Sequence, residues 1–147
     1  MGKTKINNKG VTVKFIKNHG GRENYYPTKL KKDRAGDCVV RAISIATEKD
    51  YLDVRDGLFD VAKEIGFMPN DTKTYRLYLK RNGWVRKSPL KNGRKKYKVK
   101  NTSKFFKGQN VIIHTSHHLT TLIDGDLNDT WDCSEWCANS YYVKEEK

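Results

Sequence analysis

The alternation of apolar and polar positions divides the chain into a helix-rich first half and a strand-rich second half. From residue 38 onwards, apolar residues follow one another too densely for a half-buried strand. This density is typical of a nearly buried helix, and we expect one over residues 38–47. Asp37 directly precedes this run and is of a residue type that caps helix N-termini.

Two more helices are predicted further along the chain. A single apolar stripe covers residues 51–65, where Asp50 can cap the start and a glycine follows the end. The segment TKTYRLYLKRNG (72–83) has the spacing of a third helix, which Asn70 or Asp71 can begin.

Short apolar or alternating runs predict strands on both sides of the helices. The segment VTVKFIKN (11–18) alternates as a short edge strand does, and RKKYKVK (94–100) as an exposed strand does. Asp124-Gly125 is a dipeptide typical of a hairpin turn. The strongest predicted strands are NVIIHT (110–115), HHLTTLI (117–123), DLNDTW (126–131) and NSYYVK (139–144). The order of elements predicts an α+β fold, with N-terminal helices packed on a C-terminal antiparallel sheet.

The length of 147 residues predicts one domain over residues 1–147. We expect this domain to carry a basic N-terminal segment (1–37) and a basic insertion (86–107). No stretch reaches the roughly 18 apolar residues of a membrane span, so no membrane contact is expected. Three cysteines, an odd number, and a basic N-terminus without an apolar run predict a reducing, cytoplasmic location.

The net charge of +13 is unevenly distributed along the chain. Residues 1–37 hold ten Lys/Arg against three acids, and residues 71–110 hold fourteen against one. Such segments bind nucleic acid or another polyanion by releasing counterions, although a solvated charged surface has the same composition. The candidate polyanion-binding residues are Arg76, Lys80, Arg81, Arg94, Lys95, Lys96 and Lys98.

Cys38 stands at the first turn of the first predicted helix, where unpaired N–H groups and the helix dipole lower the pKa of a thiol. It is either a nucleophile or a thiol that only packs in the core. A nucleophilic cysteine needs an imidazole to take its proton, and His118 on the predicted hairpin is our candidate. His117 should point to the opposite face of the sheet, and His114 lies on an apolar run.

The imidazole also needs an orienting group, and the hairpin offers two carboxylates. With a two-residue turn, Asp129 shares the face of His118, one diagonal step away. With a three-residue turn and a bulge, His118 faces Asp132 directly. We favour Asp132 because it lies level with His118 at the open end of the hairpin. Arg41, on the nucleophile helix, needs a carboxylate partner, for which Asp129 and Asp132 are candidates.

The segments DCVVRAISIAT (37–47) and HLTTLIDGDLNDTWD (118–132) resemble the papain-like cysteine peptidase superfamily. They are most similar to motifs of small phage and bacterial proteins. The resemblance implies a papain-like α+β fold, with Cys38 as nucleophile and His118 as base. It matches Asp129-Thr-Trp131 to the motif in which the first residue orients the histidine and the tryptophan shields that bond. On this match Asp129, not Asp132, is the orienting group, and both remain candidates.

The resemblance implies a thiol-dependent hydrolase, a peptidase, isopeptidase or amidase that is phage-encoded and works in the host cytoplasm. Its substrate would be a protein or peptide, with acidic sequences favoured by the basic segments, and it would need no cofactor. The superfamily's usual glutamine before the nucleophile is missing, so Asn24 is our candidate oxyanion donor beside the Cys38 N–H. Trp131 and Trp136 are candidates for the walls of a substrate cleft.

Two other functions fit parts of the sequence. A papain-like domain without catalysis could bind nucleic acid or an acidic protein through its basic segments. Cys133 and Cys137 together with the nearby histidines could form a zinc site, but the spacing C-x3-C is uncommon for one. We therefore predict no metal.

Overall fold

The structure, a computed structural model, describes residues 3–6, 12–29 and 35–146. In these ranges the chain forms four α-helices and a seven-stranded, mostly antiparallel sheet, together with a separate two-stranded hairpin. The predicted α+β class is confirmed. Residues 30–34 of the predicted basic N-terminal segment lie outside the described residues, as do residues 1–2, 7–11 and 147.

The first three helices begin directly after the predicted capping residues Asp37, Asp50 and Asp71. They are α1 (Cys38–Thr47), α2 (Tyr51–Ile65) and α3 (Thr72–Arg81), and the one-turn α4 (Val99–Thr102) follows. The Asp50 carboxylate accepts the Leu52 N–H at 3.1 Å, and the Asp71 carboxylate accepts the Lys73 N–H at 2.8 Å. Both bonds satisfy amides that the first helical turn leaves unpaired.

Seven strands form the main sheet, in the spatial order β1-β2-β8-β7-β6-β9-β3. Their bounds are β1 Lys3–Ile6, β2 Thr12–Lys17, β3 Trp84–Lys87, β6 Asn110–Thr115, β7 His118–Ile123, β8 Asp126–Asp129 and β9 Ser140–Lys144. The small hairpin consists of β4 (Lys91–Asn92) and β5 (Lys95–Lys96). The four strong C-terminal strand predictions all correspond to strands. His117 lies in the turn before β7, Thr130 and Trp131 lie beyond the end of β8, and Asn139 precedes β9.

The position of β2 differs from the prediction. This strand is not at an edge, because β1 pairs with it on one side and β8 on the other. Its pairing with β8 is parallel, with Phe15 opposite Leu127, and it is the one parallel pairing among the described strands. Val13 and Phe15 are buried there, so the alternating pattern reflects one core-facing side.

The predicted exposed strand over 94–100 is wrong in its second half. Only Lys95–Lys96 are in a strand, and the chain then turns into α4. Val99 is fully buried, and with Phe106 it joins a core cluster on one side of the sheet. The basic segment 86–107 thus supplies core residues as well as surface charge, because Val99 and Phe106 are buried whereas Phe105 is 45% exposed.

Apolar side chains on the two faces of the sheet form separate clusters. The helices α1, α2 and α3 cover one face, where Ile43, Leu58 and Leu79 are fully buried with Ile112. Each fully buried side chain of this kind contributes about 1.5–3 kcal/mol to folding. Within the described ranges, every helix is too short or too polar to cross a lipid bilayer.

Candidate active site

Cys38 is the first residue of α1, and its side chain is half-buried. The preceding residue, Asp37, holds the N-cap position, but its carboxylate accepts no bond from the helix amides. It accepts instead from the Tyr51 hydroxyl at 2.7 Å and from Arg22 at 3.1 Å, and it pairs with Arg41. The capping bond expected from the sequence is therefore replaced by a buried ion-pair network that holds the start of α1.

The expected partner of Arg41 is also wrong. Arg41 lies one helical turn after Asp37 and bonds to that carboxylate, not to Asp129 or Asp132. Burial lowers the pKa of Arg41, and the charge of Asp129 opposes this shift, so Asp129 acts on Arg41 only through space. Residues four apart share one face of a helix, which explains why the local carboxylate is the partner.

His118 is the first residue of β7 and follows the tight turn that contains His117. The helix α1 packs directly on β7, and the hydroxyl of Thr121 donates to the carbonyl of Ala42 at 2.7 Å. This packing places the Cys38 thiol and the His118 imidazole in the same cleft, close enough for each to shift the pKa of the other. His117 has a φ of 59° and lies in the turn before β7. It is therefore not the strand residue on the opposite face of the sheet that we expected.

The thiol and the imidazole shift each other's pKa. Burial raises the pKa of Cys38, but hydrogen bonds with His118 and with the backbone of Leu119 outweigh it, so the pKa is below its ordinary value. Burial lowers the pKa of His118, whereas its bonds to Asp129, Cys133 and Cys38 raise it to about 11. Both shifts favour a thiolate beside an imidazolium.

Asp129 is the group that orients the imidazole. Its Oδ2 lies 2.6 Å from Nε2 of His118, and its side chain is only 4% exposed. The hairpin turn has two residues, with Ile123 opposite Asp126, which is the register that places Asp129 on the face of His118. Our preference for Asp132 is wrong, because that carboxylate accepts the N–H of Ser134 at 3.0 Å, beyond the end of β8.

Trp131 covers the imidazole. Its ring centroid lies 4.8 Å from that of His118, and Trp136 packs against Trp131 at 5.3 Å. An aromatic cover keeps water from the bond between His118 and Asp129, which strengthens that bond. Neither tryptophan lines the cleft beside Cys38, so their predicted role as cleft walls is not what the structure shows.

The cleft beside Cys38 has a volume of about 520 Å³. Its walls come from the start of α1, the start of α3 and the turn between β6 and β7. They are formed by Val39, Asn70, Thr72, Tyr75, His114, Ser116, His117, His118, Leu119 and Asn139. Asn24 does not line it and lies exposed in the 3-10 turn Arg22–Asn24, so the expected oxyanion donor is misplaced.

Other donors for an oxyanion do line the cleft. The N–H of Cys38 lies in the first helical turn, where amides have no partner within the helix. Asn70 and Asn139 add side-chain amides. The sequence marks Asn70 only as a possible helix cap, and nothing in the sequence connects Asn139 to the nucleophile.

No protein-family model, curated protein or solved structure matches the chain.

Cys133 is a member of the site that sequence reasoning did not place beside Asp129. Its side chain is fully buried, and its thiol lies 3.7 Å from Oδ2 of Asp129. Burial raises its pKa, which keeps this second thiol protonated while Cys38 is activated. Asp129 thus accepts from both His118 and Cys133.

Among the described residues, one set of three donor groups could hold a metal ion. Its members are His118, Asp129 and Cys133, with ligand atoms within 4.8 Å of one another. An ion there would have to break the bond between His118 and Asp129. Cys137 is exposed and outside this set, as are His114 and His117, so the zinc site considered from the sequence is not assembled.

The seven polyanion-binding candidates separate into two groups. In α3, Arg76 and Lys80 line a groove, whereas Arg81 is bonded to Glu64 at 2.6 and 2.8 Å. The remaining four belong to the small hairpin and the residues after it: Arg94, Lys95, Lys96 and Lys98. All four of these residues are exposed. Lys98 pairs with Glu135 at 3.3 Å, and Lys96 donates to Asn139 at 3.2 Å.

Proposed function

We propose that this protein is a thiol-dependent hydrolase of papain-like architecture that acts on amide or ester bonds by acyl transfer. The observation that carries the proposal is the chain of contacts from Cys38 through His118 to Asp129. A nucleophile, a base and an orienting carboxylate in this order are the components of a catalytic triad.

In the first half of the reaction, the Cys38 thiolate attacks the substrate carbonyl carbon while His118 carries the proton. The N–H of Cys38 and a side-chain amide, from Asn70 or Asn139, donate to the oxyanion. His118 then gives its proton to the leaving amine or alkoxide as the carbon–leaving-group bond breaks. An acyl thioester on Cys38 remains.

In the second half, a water molecule attacks the thioester and His118 takes its proton. The carbon–sulfur bond then breaks and the acid leaves. This step restores the Cys38 thiolate beside the protonated His118. Asp129 keeps Nε2 of His118 engaged throughout, which leaves Nδ1 as the nitrogen that exchanges protons with the sulfur and the leaving group.

The experiment is an assay of turnover with small esters and peptide amides, followed by intact-mass measurement of acid-quenched protein. We expect a transient acyl adduct on Cys38 and loss of turnover in Cys38→Ser. Cys137→Ser is the matched control, because Cys137 is exposed and outside the triad, and it should turn over substrate normally. Turnover that survives Cys38→Ser contradicts the proposal.

A second candidate function is binding of nucleic acid or of an acidic protein by a domain without catalytic activity. The exposed basic hairpin that includes Arg94 and Lys95 favours it. In that case DNA retention should fall steeply with salt, since each phosphate contact releases about one counterion. Retention should also fall in Arg94→Gln/Lys95→Gln, and Cys38 should react no faster than Cys137.

A further inference from the structure

Besides the cleft that holds Cys38, the described residues form a basic groove. It has a volume of about 470 Å³ and lies between α3, β3 and β9. Its lining residues are Arg76, Lys80, Trp84, Val85, Arg86, Tyr142 and Glu145. Three cations and one acid therefore face this space, which makes it electropositive at neutral pH.

Consecutive residues of α3 line the cleft and the groove. Tyr75 lines the cleft, and Arg76 lines the groove. The charges of Cys38, Arg76 and Arg86 all act on the Tyr75 phenol, so the thiol and the two guanidinium groups lie near the same ring. His114 lies 6.4 Å from Tyr75 between ring centroids, and after burial the charges of Arg76 and Arg86 lower its pKa.

Buried aromatic rings form the floor of the groove. Arg86 is directly opposite Tyr142 in the pairing of β3 with β9. Tyr142 is 2% exposed and Trp84 is 5% exposed, so their rings belong to the core and offer no free face. Binding of single-stranded nucleic acid needs exposed aromatic faces for the bases to stack on. The groove lacks them and suits carboxylate groups that bind guanidinium ions.

We propose, building on the proposed hydrolase function, that this groove selects peptide substrates with acidic side chains near the scissile bond. Arg76 and Arg86 bind the carboxylates, and Lys80 adds positive charge one helical turn from Arg76. The same charges steer acidic peptides towards the cleft. Arg81 takes no part, because Glu64 neutralises it on another side of α3.

The test uses alkylating peptides, which report on the groove without requiring turnover. Iodoacetyl-Gly-Glu-Glu amide and iodoacetyl-Gly-Gln-Gln amide are compared for their rate of reaction with Cys38 at low salt, by mass spectrometry. We expect the Glu reagent to react about five- to tenfold faster, which is the effect of two exposed charge pairs. The ratio should fall towards one in Arg76→Gln/Arg86→Gln, and also at about 0.5 M salt, where screening is strong.

The matched control is Arg94→Gln/Lys95→Gln, which removes the same charge from the small hairpin and should leave the ratio unchanged. If both double variants lower the ratio equally, only the net charge matters and the proposed groove is wrong. If an oligonucleotide protects Cys38 from iodoacetamide and a poly-glutamate peptide does not, the groove binds nucleic acid instead. Slow reaction of Cys38 with plain iodoacetamide, no faster than Cys137, would count against the hydrolase function and not against the groove.

Discussion

His118 Nε2 and Asp129 Oδ2 lie 2.6 Å apart in a buried contact that connects β7 to the end of β8. This bond fixes the orientation of the imidazole and its charge, because a carboxylate stabilises the protonated ring. The state of Cys38 therefore depends on a residue that it contacts only through His118.

Replacing Asp129 by Asn should slow turnover by about 10²-fold or more, since the amide keeps the shape but loses the charge. The alkylation of Cys38 at pH 7 should slow as well, because a neutral His118 stabilises the thiolate less. Asp132→Asn is the control, and it should leave both rates near those of the unchanged protein. The reverse result would assign the orienting role to Asp132.

The pH dependence of Cys38 alkylation should report on His118. Only the thiolate reacts, and the pKa of Cys38 is lowered, so the rate should rise at a pH below the ordinary value of 9.0 and then stay level. The imidazolium persists up to about pH 11, the raised pKa of His118. The thiolate–imidazolium pair thus exists between the lowered pKa of Cys38 and the raised pKa of His118.

His118→Ala removes the bond that lowers the pKa of Cys38, whereas burial, which raises that pKa, remains. The increase in alkylation rate should therefore occur at a higher pH. At pH 7 we expect at least a tenfold slower reaction, which corresponds to one pH unit of displacement. His117→Ala, in the adjoining turn, should keep the original profile. An unshifted profile in His118→Ala would show that the imidazole does not activate the thiol.

Asp37→Asn should destabilise the fold by about 3–5 kcal/mol, because it leaves the guanidinium groups of Arg22 and Arg41 without their buried counter-charge. The measurement is the free energy of unfolding from urea titration in reducing buffer. Glu64→Gln removes an exposed partner of Arg81 and should have no measurable effect. Equal losses in the two variants would mean that the Asp37 network adds nothing beyond a surface ion pair.

Gly20→Ala and Gly36→Ala form a matched pair, since both glycines have a φ of 67°. A Cβ at residue 20 would lie 2.9 Å from the carbonyl oxygen of Arg41, whereas at residue 36 no atom lies within 4 Å. The free energy of unfolding should fall by about 1 kcal/mol in both variants, because alanine is strained in the left-handed backbone conformation. Gly20→Ala should lose about 1–3 kcal/mol more from the clash with α1. Identical unfolding free energies would show that the loop does not press on α1.

The starts of α2 and α3 were predictable because capping is local. Asp50 and Asp71 each bond to an amide two residues away, so the residue type and the start of an apolar run were sufficient. The choice between Asp129 and Asp132 was not predictable, because Asp124-Gly125-Asp126 suits two turn types that differ by one residue in register. The observed turn places Asp124 at a φ of 49° and has two residues.

Contacts between distant segments were beyond the sequence. The parallel pairing of β2 with β8 joins residues about 110 positions apart, and no local pattern encodes it. Cys133 beside Asp129 and the groove between Arg76 and Arg86 likewise depend on the packing of separate elements. The partner of Arg41 could have been found, since Asp37 stands four residues before it on the same helix face.

The hydroxyl of Thr121 is bonded to the carbonyl of Ala42, one helical turn beyond Cys38. Sulfur and imidazole belong to separate pieces of the chain that meet only when the helix is seated on the strand. In a partly unfolded polypeptide the thiol therefore lacks the imidazole that lowers its pKa. We expect the rate of Cys38 labelling to report whether α1 is docked on β7.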